Sequence, residues 1–194
     1  MDNYTKKRLL DYVFFILQLI TIILLIKAGK SDNVKEVIFV IALFVIYIFV
    51  EAKYNLHMSN YIRGCMMALA LLHTYPGKYL DLYLTSTIFD KALHVFGTYA
   101  IALFAYSLMD QVMGVTFTHR RNKFVFIAIL GISLGAIFEI IEFVADNTLN
   151  PMIHNQPNLT DTNLDMVADV FGALIAALHS AFGGIPLHSS RGKS

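Results

Sequence analysis

The sequence is poor in charged residues and in cysteine. Only 15% of its 194 residues are charged, whereas 57% are hydrophobic. Soluble domains average about 25% charged and about 45–50% apolar residues. The single cysteine, Cys65, excludes an intrachain disulfide and a cysteine-rich metal site. The net charge is +1 and the basic residues are scattered, so we expect no nucleic-acid partner.

Sequence motifs that would identify a catalytic class are also missing. There is no Gly-x-Ser-x-Gly, His-Glu-x-x-His, Walker or Gly-x-Gly-x-x-Gly pattern, no internal repeat and no low-complexity linker. Any functional site must therefore be inferred from where the ionisable residues fall along the chain.

Long apolar runs dominate the sequence instead, and the mean hydropathy is +0.60. A transmembrane helix needs about 20 apolar residues, within a range of about 17–25. Six runs are candidates: 9–26, 37–50, 61–75, 92–109, 124–145 and 164–182. The first run is long for a signal peptide and lacks a cleavage site, so we interpret it as a retained span. The fold class predicted is an all-α polytopic membrane helix bundle of about six transmembrane helices.

We predict one membrane domain over residues 1–194, in three parts: N-terminal spans 1–89, a site-bearing three-helix part 90–184, and a cytoplasmic tail 185–194. With six spans, ten Lys and Arg residues fall on the side of the N-terminus and five on the other. The positive-inside rule then predicts that both termini are cytoplasmic and that loop 147–160 is external. An interfacial helix within 78–89, after the Pro76-Gly77 breaker pair, is left open.

Half of the fourteen acidic residues lie in or at the ends of the last three spans. Their spacings of three and four residues place each set on one helix face. The first span carries Asp90 with His94, the second Glu139, Glu142 and Asp146, and the third Asp161, Asp165 and Asp169. Because an intramembrane carboxylate costs about 2.5–3.5 kcal/mol on insertion scales, we expect these stripes to face the bundle interior.

The three stripes also share a depth in the predicted topology. At 1.5 Å per residue, His94, Glu142 and Asp165 each lie about 6 Å below the rim of their span. Glu139 and Asp169 lie about 10–12 Å down by the same rise. The stripes therefore meet in the outer half of the membrane. Small residues on two of these spans, among them Gly131, Gly135 and Gly172, are typical of close helix packing.

Carboxylates with one imidazole suit a divalent ion, here Mg²⁺, Mn²⁺, Ca²⁺ or Zn²⁺. We predict His94, Glu139, Glu142 and Asp165 as metal ligands. Asp161 and Asp169 are predicted as catalytic carboxylates, acting as general base. Further site candidates are Asp90, Lys91, Asp146 and His73. Two alternatives remain: several carboxylates are protonated, or the polar residues only hydrogen-bond the helices together.

A family resemblance rests on the same residues. The order Asp90-Lys91-x-x-His94, Glu139-x-x-Glu142, then Asp161-x-x-x-Asp165-x-x-x-Asp169-x-x-Gly172-Ala173 resembles that of VanZ-like and YjdF-like small bacterial membrane proteins. VanZ-like proteins often carry Glu-x-x-Gln where this chain has two glutamates, which brings it closer to the YjdF-like group. The resemblance implies a bacterial cytoplasmic membrane and, through the VanZ-like relatives, a link to glycopeptide resistance. It does not imply a reaction.

Three functions are compatible with the sequence. The first is a metal-dependent hydrolase or transferase that acts on lipid head groups or lipid-linked envelope precursors at the membrane surface. The second is a cation or proton transporter, since intramembrane carboxylates are common relay groups. The third is a non-catalytic envelope or resistance factor. Membrane lipids are the expected partners in each case, and the sequence does not indicate an oligomeric state.

Overall fold

The computed structural model describes residues 2–149 and 154–184, and these residues are helical almost throughout. The predicted tail 185–194 lies outside the described residues. The elements are α1 (Asn3–Lys27), α2 (Ser31–Lys53), α3 (Asn60–Leu72), a π-helical segment (His73–Tyr79), α4 (Leu82–Thr85), α5 (Phe89–Met113), α6 (Arg120–Leu149) and α7 (Leu159–Phe182). The all-α prediction is confirmed.

Within the described residues, five helices are long and apolar enough to cross a membrane: α1, α2, α5, α6 and α7. The predicted span at 61–75 is not among them. It is built instead from the 13 residues of α3 and the seven-residue π-helical segment that follows directly. Within 78–89 the four-residue α4 is the only complete helix, between the end of the π-helical segment at Tyr79 and the start of α5 at Phe89.

The described residues form two compact units, of which the first ends at Phe89 and the second begins at Asp90. In the first unit, α1, α2 and α3 pack around Phe14, Phe44 and Met67. The rings of Phe14 and Phe44 lie 4.5 Å apart. Most other large side chains of α1 and α2 point outward, as expected for helices that meet lipid on their remaining faces.

One buried ion-pair network crosses the first unit. Arg63 on α3 is 1% exposed. Its Nη1 donates to Oδ1 of Asp11 at 2.7 Å, and its Nη2 donates to Oε2 of Glu51. Lys7 Nζ lies 2.7 Å from the same Glu51 oxygen. Two cations thus offset two carboxylates, which is the arrangement that makes buried charge tolerable.

The π-helical segment follows from Pro76, which has no N–H to donate and cannot continue a regular α-helix. The segment brings Gly77 against Tyr83, whose ring occupies the space that a side chain on Gly77 would fill. The Tyr83 hydroxyl lies 2.7 Å from Nδ1 of His73. Nε2 of His73 lies 3.5 Å from Glu36, so this predicted site candidate belongs to a network of the first unit.

In the second unit, α5, α6 and α7 pack through small residues. A Cβ atom placed on Gly131 of α6 would lie 2.6 Å from Cβ of Ala173 and 3.2 Å from Cβ of Ala102. A Cβ atom on Gly172 would overlap the carbonyl oxygen of Val95. The glycines therefore let the three backbones approach, as the small-residue stripes predict. This close packing holds the polar stripes in contact.

Candidate functional site

His94 lies between two pairs of carboxylates contributed by all three helices of the second unit. Nδ1 of its ring lies 3.2 Å from Asp169 and 3.6 Å from Glu139. Nε2 lies 3.7 Å from Asp165 and 3.9 Å from Asp90. We call Glu139 and Asp169 the Nδ1 pair, and Asp90 and Asp165 the Nε2 pair. The imidazole is 9% exposed, so both pairs interact with it away from bulk water.

The Nδ1 pair is the more deeply buried, with Glu139 4% and Asp169 3% exposed. Oδ1 of Asp169 accepts a hydrogen bond of 2.5 Å from the hydroxyl of Thr98. Oε2 of Glu139 accepts a hydrogen bond of 2.8 Å from the Gln156 amide. The second oxygens, Oε1 of Glu139 and Oδ2 of Asp169, accept no hydrogen bond from the described residues. Buried acceptors of this kind are costly unless something else satisfies them.

A lysine offsets the charge on the other side of the imidazole. Nζ of Lys91 lies 3.0 Å from Asp90, 2.6 Å from Asp161 and 2.7 Å from Asp165. One ammonium group therefore joins the first turns of α5 and α7. Lys91 supplies a cation to the Nε2 pair, whereas among the described residues His94 is the only basic side chain within ion-pair distance of the Nδ1 pair.

The segment that enters α7 folds back over the end of α6. Asp146, which is 5% exposed, accepts hydrogen bonds from the backbone N–H groups of Asn155 and Gln156 at 3.0 and 2.9 Å. His154 Nδ1 lies 3.6 Å from the same carboxylate. The Gln156 amide then donates to both the carbonyl and the carboxylate of Glu139. Asp146 thus anchors the segment and Gln156 orients Glu139.

The predicted site residues therefore separate by environment. His94, Glu139, Asp165 and Asp169 come together, and Asp90 joins them. Asp161 lies against Lys91, and Asp146 binds loop N–H groups. Glu142 is half-buried and belongs to neither pair, although it interacts electrostatically with His94 and Glu139.

Sequence reasoning missed Thr98 and Gln156. Thr98 follows His94 by four residues, so it continues the stripe of Asp90 and His94 on α5, and the same spacing rule would have found it. Gln156 lies in a loop, where no helical period applies. Only its position between Asp146 and the start of α7 could have drawn attention to it.

Each of the two carboxylate pairs, taken together with His94, has the geometry of a possible metal site. In each of the sets Asp90–His94–Asp165 and His94–Glu139–Asp169, one donor atom per residue lies within 4.8 Å of the others. Nitrogen and oxygen ligands about 2.0–2.2 Å from one ion lie about 2.8–3.6 Å apart at coordination angles of about 90–110°. The 3.2 and 3.6 Å separations of the Nδ1 pair from His94 meet this condition. The distances from Nε2 of His94 to Asp165 and Asp90, 3.7 and 3.9 Å, are slightly longer than this range.

Small residues separate this site from the opposite end of the second unit. Beyond Asp169, α7 continues with buried Gly172, Ala173, Ala176 and Ala177. Farther along α7, Nδ1 of His179 forms a 2.7 Å hydrogen bond with the Tyr99 hydroxyl of α5. The carboxylate cluster therefore lies near the N-terminal ends of α5 and α7, and packed small side chains fill the space beyond it.

Comparison with known proteins places the chain in a family of predicted membrane proteins. It is 31% identical over 113 residues to an uncharacterized protein from Thermotoga maritima, an alignment that covers 55% of this chain and 54% of that protein. The similarity thus spans about half the length of this relative. No solved structure matches the chain. The model of the family described as predicted membrane protein (DUF2238) matches residues 9–183, and the chain therefore belongs to the DUF2238 family of membrane proteins.

Proposed function

We propose that the protein is a metal-dependent membrane enzyme that binds a divalent cation at His94, Glu139 and Asp169 and acts on phosphate-containing lipids or lipid-linked envelope precursors. The observation that carries the proposal is that two buried carboxylates approach Nδ1 of His94, through Oε1 of Glu139 and Oδ1 of Asp169. Two of their oxygens, Oε1 of Glu139 and Oδ2 of Asp169, accept no hydrogen bond from the described residues. A cation would satisfy both oxygens and offset their charge.

The charges of the cluster favour a bound metal ion, rather than a lysine, as the partner of Glu139 and Asp169. Lys91 is already engaged by three carboxylates, and it does not form an ion pair with Glu139 or Asp169 among the described contacts. Bringing an unpaired carboxylate out of water costs several kcal/mol even after relaxation. The donor set of one imidazole and two carboxylates suits Zn²⁺ or Mn²⁺ better than Mg²⁺ or Ca²⁺, which prefer oxygen ligands alone.

The distances change the roles proposed for individual residues. Asp169 lies nearest to the imidazole and is proposed as a ligand with Glu139 and His94. Asp165, which is paired with Lys91, is proposed to hold that lysine beside the site. Glu142 is half-buried and outside both pairs, so its carboxylate is the proposed general base. It would accept a proton from the water that attacks phosphorus and return that proton to the lipid oxygen as its phosphorus–oxygen bond breaks, and an ion held by His94, Glu139 and Asp169 would supply positive charge to the phosphate.

The packing beneath the site favours chemistry at one membrane face over transport. A transporter needs the same site to open alternately toward both sides of the membrane. The contacts of Gly131 with Ala102 and Ala173 fill the space beneath the cluster with small side chains. The resemblance to VanZ-like and YjdF-like proteins supports a bacterial cytoplasmic membrane, and the distribution of Lys and Arg supports an outward-facing site.

The test is phosphate release from lipid substrates by purified protein in detergent or nanodiscs. Elemental analysis of the same sample identifies the ion. We expect ion-dependent release that falls at least about 100-fold in Asp169→Asn, since loss of a ligand removes the polarising ion. A matched control is Asp32→Asn, whose carboxylate is 91% exposed at the start of α2. Bound ion without turnover on any phosphate-containing lipid would favour the non-catalytic alternative.

A further inference from the structure

Asp165 lies between Lys91 and the imidazole of His94. The ammonium group of Lys91 is 2.7 Å from both carboxylate oxygens and donates its hydrogen bond to Oδ2. The other oxygen, Oδ1, lies 3.7 Å from Nε2 of His94 and accepts no hydrogen bond from the described residues. Asp165 is 3% exposed, so bulk water does not satisfy this oxygen. One buried acceptor of Asp165 therefore faces the imidazole.

The two ring nitrogens of His94 take different roles when the imidazole binds a cation. A neutral imidazole carries one hydrogen, and a metal ion binds the nitrogen that lacks it. Because the proposed ion lies on the Nδ1 side, with Glu139 and Asp169, the hydrogen must be on Nε2. A metal-binding histidine almost always donates this second N–H to a carboxylate, a backbone carbonyl or water. The Nε2 side of His94 offers two carboxylates, Asp165 and Asp90.

Asp165 is the better acceptor of the two carboxylates on this side. Its Oδ1 is closer to Nε2 than that of Asp90, and its side chain is 4% exposed against 26% for Asp90. A hydrogen bond to a buried charged acceptor is stronger because the local dielectric constant is low. The 3.7 Å separation exceeds hydrogen-bond length, and a shift of about 0.5 Å closes it to the limit of about 3.2 Å.

A competing carboxylate faces the other nitrogen of the ring. Nδ1 of His94 lies 3.2 Å from Oδ1 of Asp169, and a ring with its hydrogen on Nδ1 would donate there. That tautomer would leave no lone pair on Nδ1 for a cation. Oδ1 of Asp169 already accepts a hydrogen bond from the hydroxyl of Thr98, whereas Oδ1 of Asp165 accepts none from the described residues. The single ring hydrogen therefore stabilises the structure more at Asp165 than at Asp169.

We propose that Asp165 is a positioning residue of the metal site, which accepts the hydrogen of Nε2 and so fixes the tautomer of His94 that presents Nδ1 to the cation. This role rests on the cation proposed above at His94, Glu139 and Asp169, and it does not depend on the reaction proposed there. Lys91 holds Asp165 in place through Oδ2, which leaves Oδ1 for the imidazole. The lysine thus acts on the metal site through a carboxylate and a ring, without contacting the ion.

Two leucine substitutions separate this role from a general loss of charge. Asp165→Leu removes the acceptor, and isothermal titration of the purified full-length protein with Zn²⁺ should show about 10–100-fold weaker binding. Asp161→Leu is the matched control, because Asp161 contacts the same ammonium group at 2.6 Å but is not within ion-pair distance of His94. The control should bind Zn²⁺ nearly as tightly as the native protein. Asp165→Asn keeps an oxygen acceptor and should recover part of the affinity. Equal losses for the two leucine variants would overturn the proposal.

Nuclear magnetic resonance of the native protein reads the two nitrogens directly. The histidine ring nitrogens are isotopically labelled, and His94→Gln identifies the signals of this residue. With Zn²⁺ bound, we expect the shift of a metal-bound nitrogen at Nδ1 and that of a protonated nitrogen at Nε2. This readout needs no variant at position 165, so it holds even if Asp165→Leu fails to fold. The reverse assignment, with the metal on Nε2 and the hydrogen on Nδ1, would overturn the proposal.

The outcomes also distinguish this role from the proposed function. Zn²⁺ bound at Nδ1 without phosphate release from any lipid would remove the reaction and keep the role of Asp165. Zn²⁺ bound at Nε2 would keep a metal site in the cluster and remove that role. A native protein that binds no divalent ion would remove both.

Discussion

A Cβ atom placed on Gly135 would lie 2.7 Å from Oδ2 of Asp169, so the carboxylate on α7 occupies the space that the glycine on α6 leaves. The two residues are in different helices and 34 positions apart. The Gly131-x-x-x-Gly135 pair therefore does more than bring two backbones together. Its second glycine makes room for a charged side chain at the centre of the candidate site.

Gly135→Ala should destabilise the second unit. The added methyl must displace Asp169, and overpacking of this kind costs about 1–3 kcal/mol. Reversible unfolding in mixed micelles measures the loss. Gly64→Ala is the control, because Gly64 lies in α3 with nothing within 4 Å of a new Cβ atom. That variant should be neutral or gain about 0.5–1 kcal/mol from helix propensity. Equal effects of the two substitutions would contradict the packing described.

Arg63→Met should destabilise the first unit strongly. It removes the cation that Asp11 and Glu51 share and leaves a buried carboxylate partly unpaired, a loss of about 3–5 kcal/mol. The same unfolding measurement applies. Lys35→Met is the control, since its ion pair with Asp32 is 82% and 91% exposed and is worth about 0–1 kcal/mol. A loss for Arg63→Met no larger than that of the control would show that the network is not structural.

Gln156→Leu should weaken metal binding without removing a ligand. The amide holds Glu139 through its carbonyl and its carboxylate, and loss of such a supporting hydrogen bond typically lowers metal affinity about 10–100-fold. Isothermal titration with Zn²⁺ or Mn²⁺ measures the change, and Gln156→Asn shows whether an amide one methylene shorter can still support the carboxylate. The prediction is wrong if Gln156→Leu binds either ion as tightly as the native protein does.

The membrane topology depends on the segment that sequence and structure describe differently. If α3 and the π-helical segment together cross the membrane, α7 begins outside; if they do not, a cytoplasmic N-terminus puts its start inside. In a Cys65→Ser background, Leu159→Cys supplies a side-chain position that is 75% exposed. We expect a membrane-impermeant maleimide to label it from outside intact cells and to leave Lys6→Cys unlabelled. Labelling of Leu159→Cys only after cell lysis would contradict the six-span topology.

The sequence predicted the helices and the polar stripes well because both depend on local spacing. Residues 90 and 94, or 161, 165 and 169, must share a helix face whatever surrounds them. Spacing does not reveal which stripe members meet. Lys91 was predicted only as a further site candidate, yet its ammonium group joins Asp90, Asp161 and Asp165. Glu142 shares the stripe of Glu139 but belongs to neither carboxylate pair, and Gln156 reaches Glu139 from a loop.

The third predicted span, which the structure divides into α3 and the π-helical segment, shows a different limit. Arg63 and Pro76 were visible in the sequence, but their consequences depend on tertiary partners. Arg63 is buried because Asp11 and Glu51 approach it from two other helices. Pro76 lies inside the π-helical segment that replaces regular α-helix from His73 onward, and Gly77 of that segment packs against the ring of Tyr83. Neither partner can be read from the run 61–75 alone.

The thermal response to divalent ions tests the central claim most directly. A ligand that binds only the folded protein stabilises it by RT ln(1 + [L]/Kd), about 2.7 kcal/mol at a hundredfold excess over Kd. We expect Zn²⁺ or Mn²⁺ to raise the melting temperature of the native protein and a chelator to lower it. In Glu139→Gln/Asp169→Asn, the metal-free protein should melt higher than the metal-free native protein, because the repulsion between carboxylates is relieved, and added ions should have no effect. A native protein whose melting ignores chelator and every divalent ion tried would contradict the metal site.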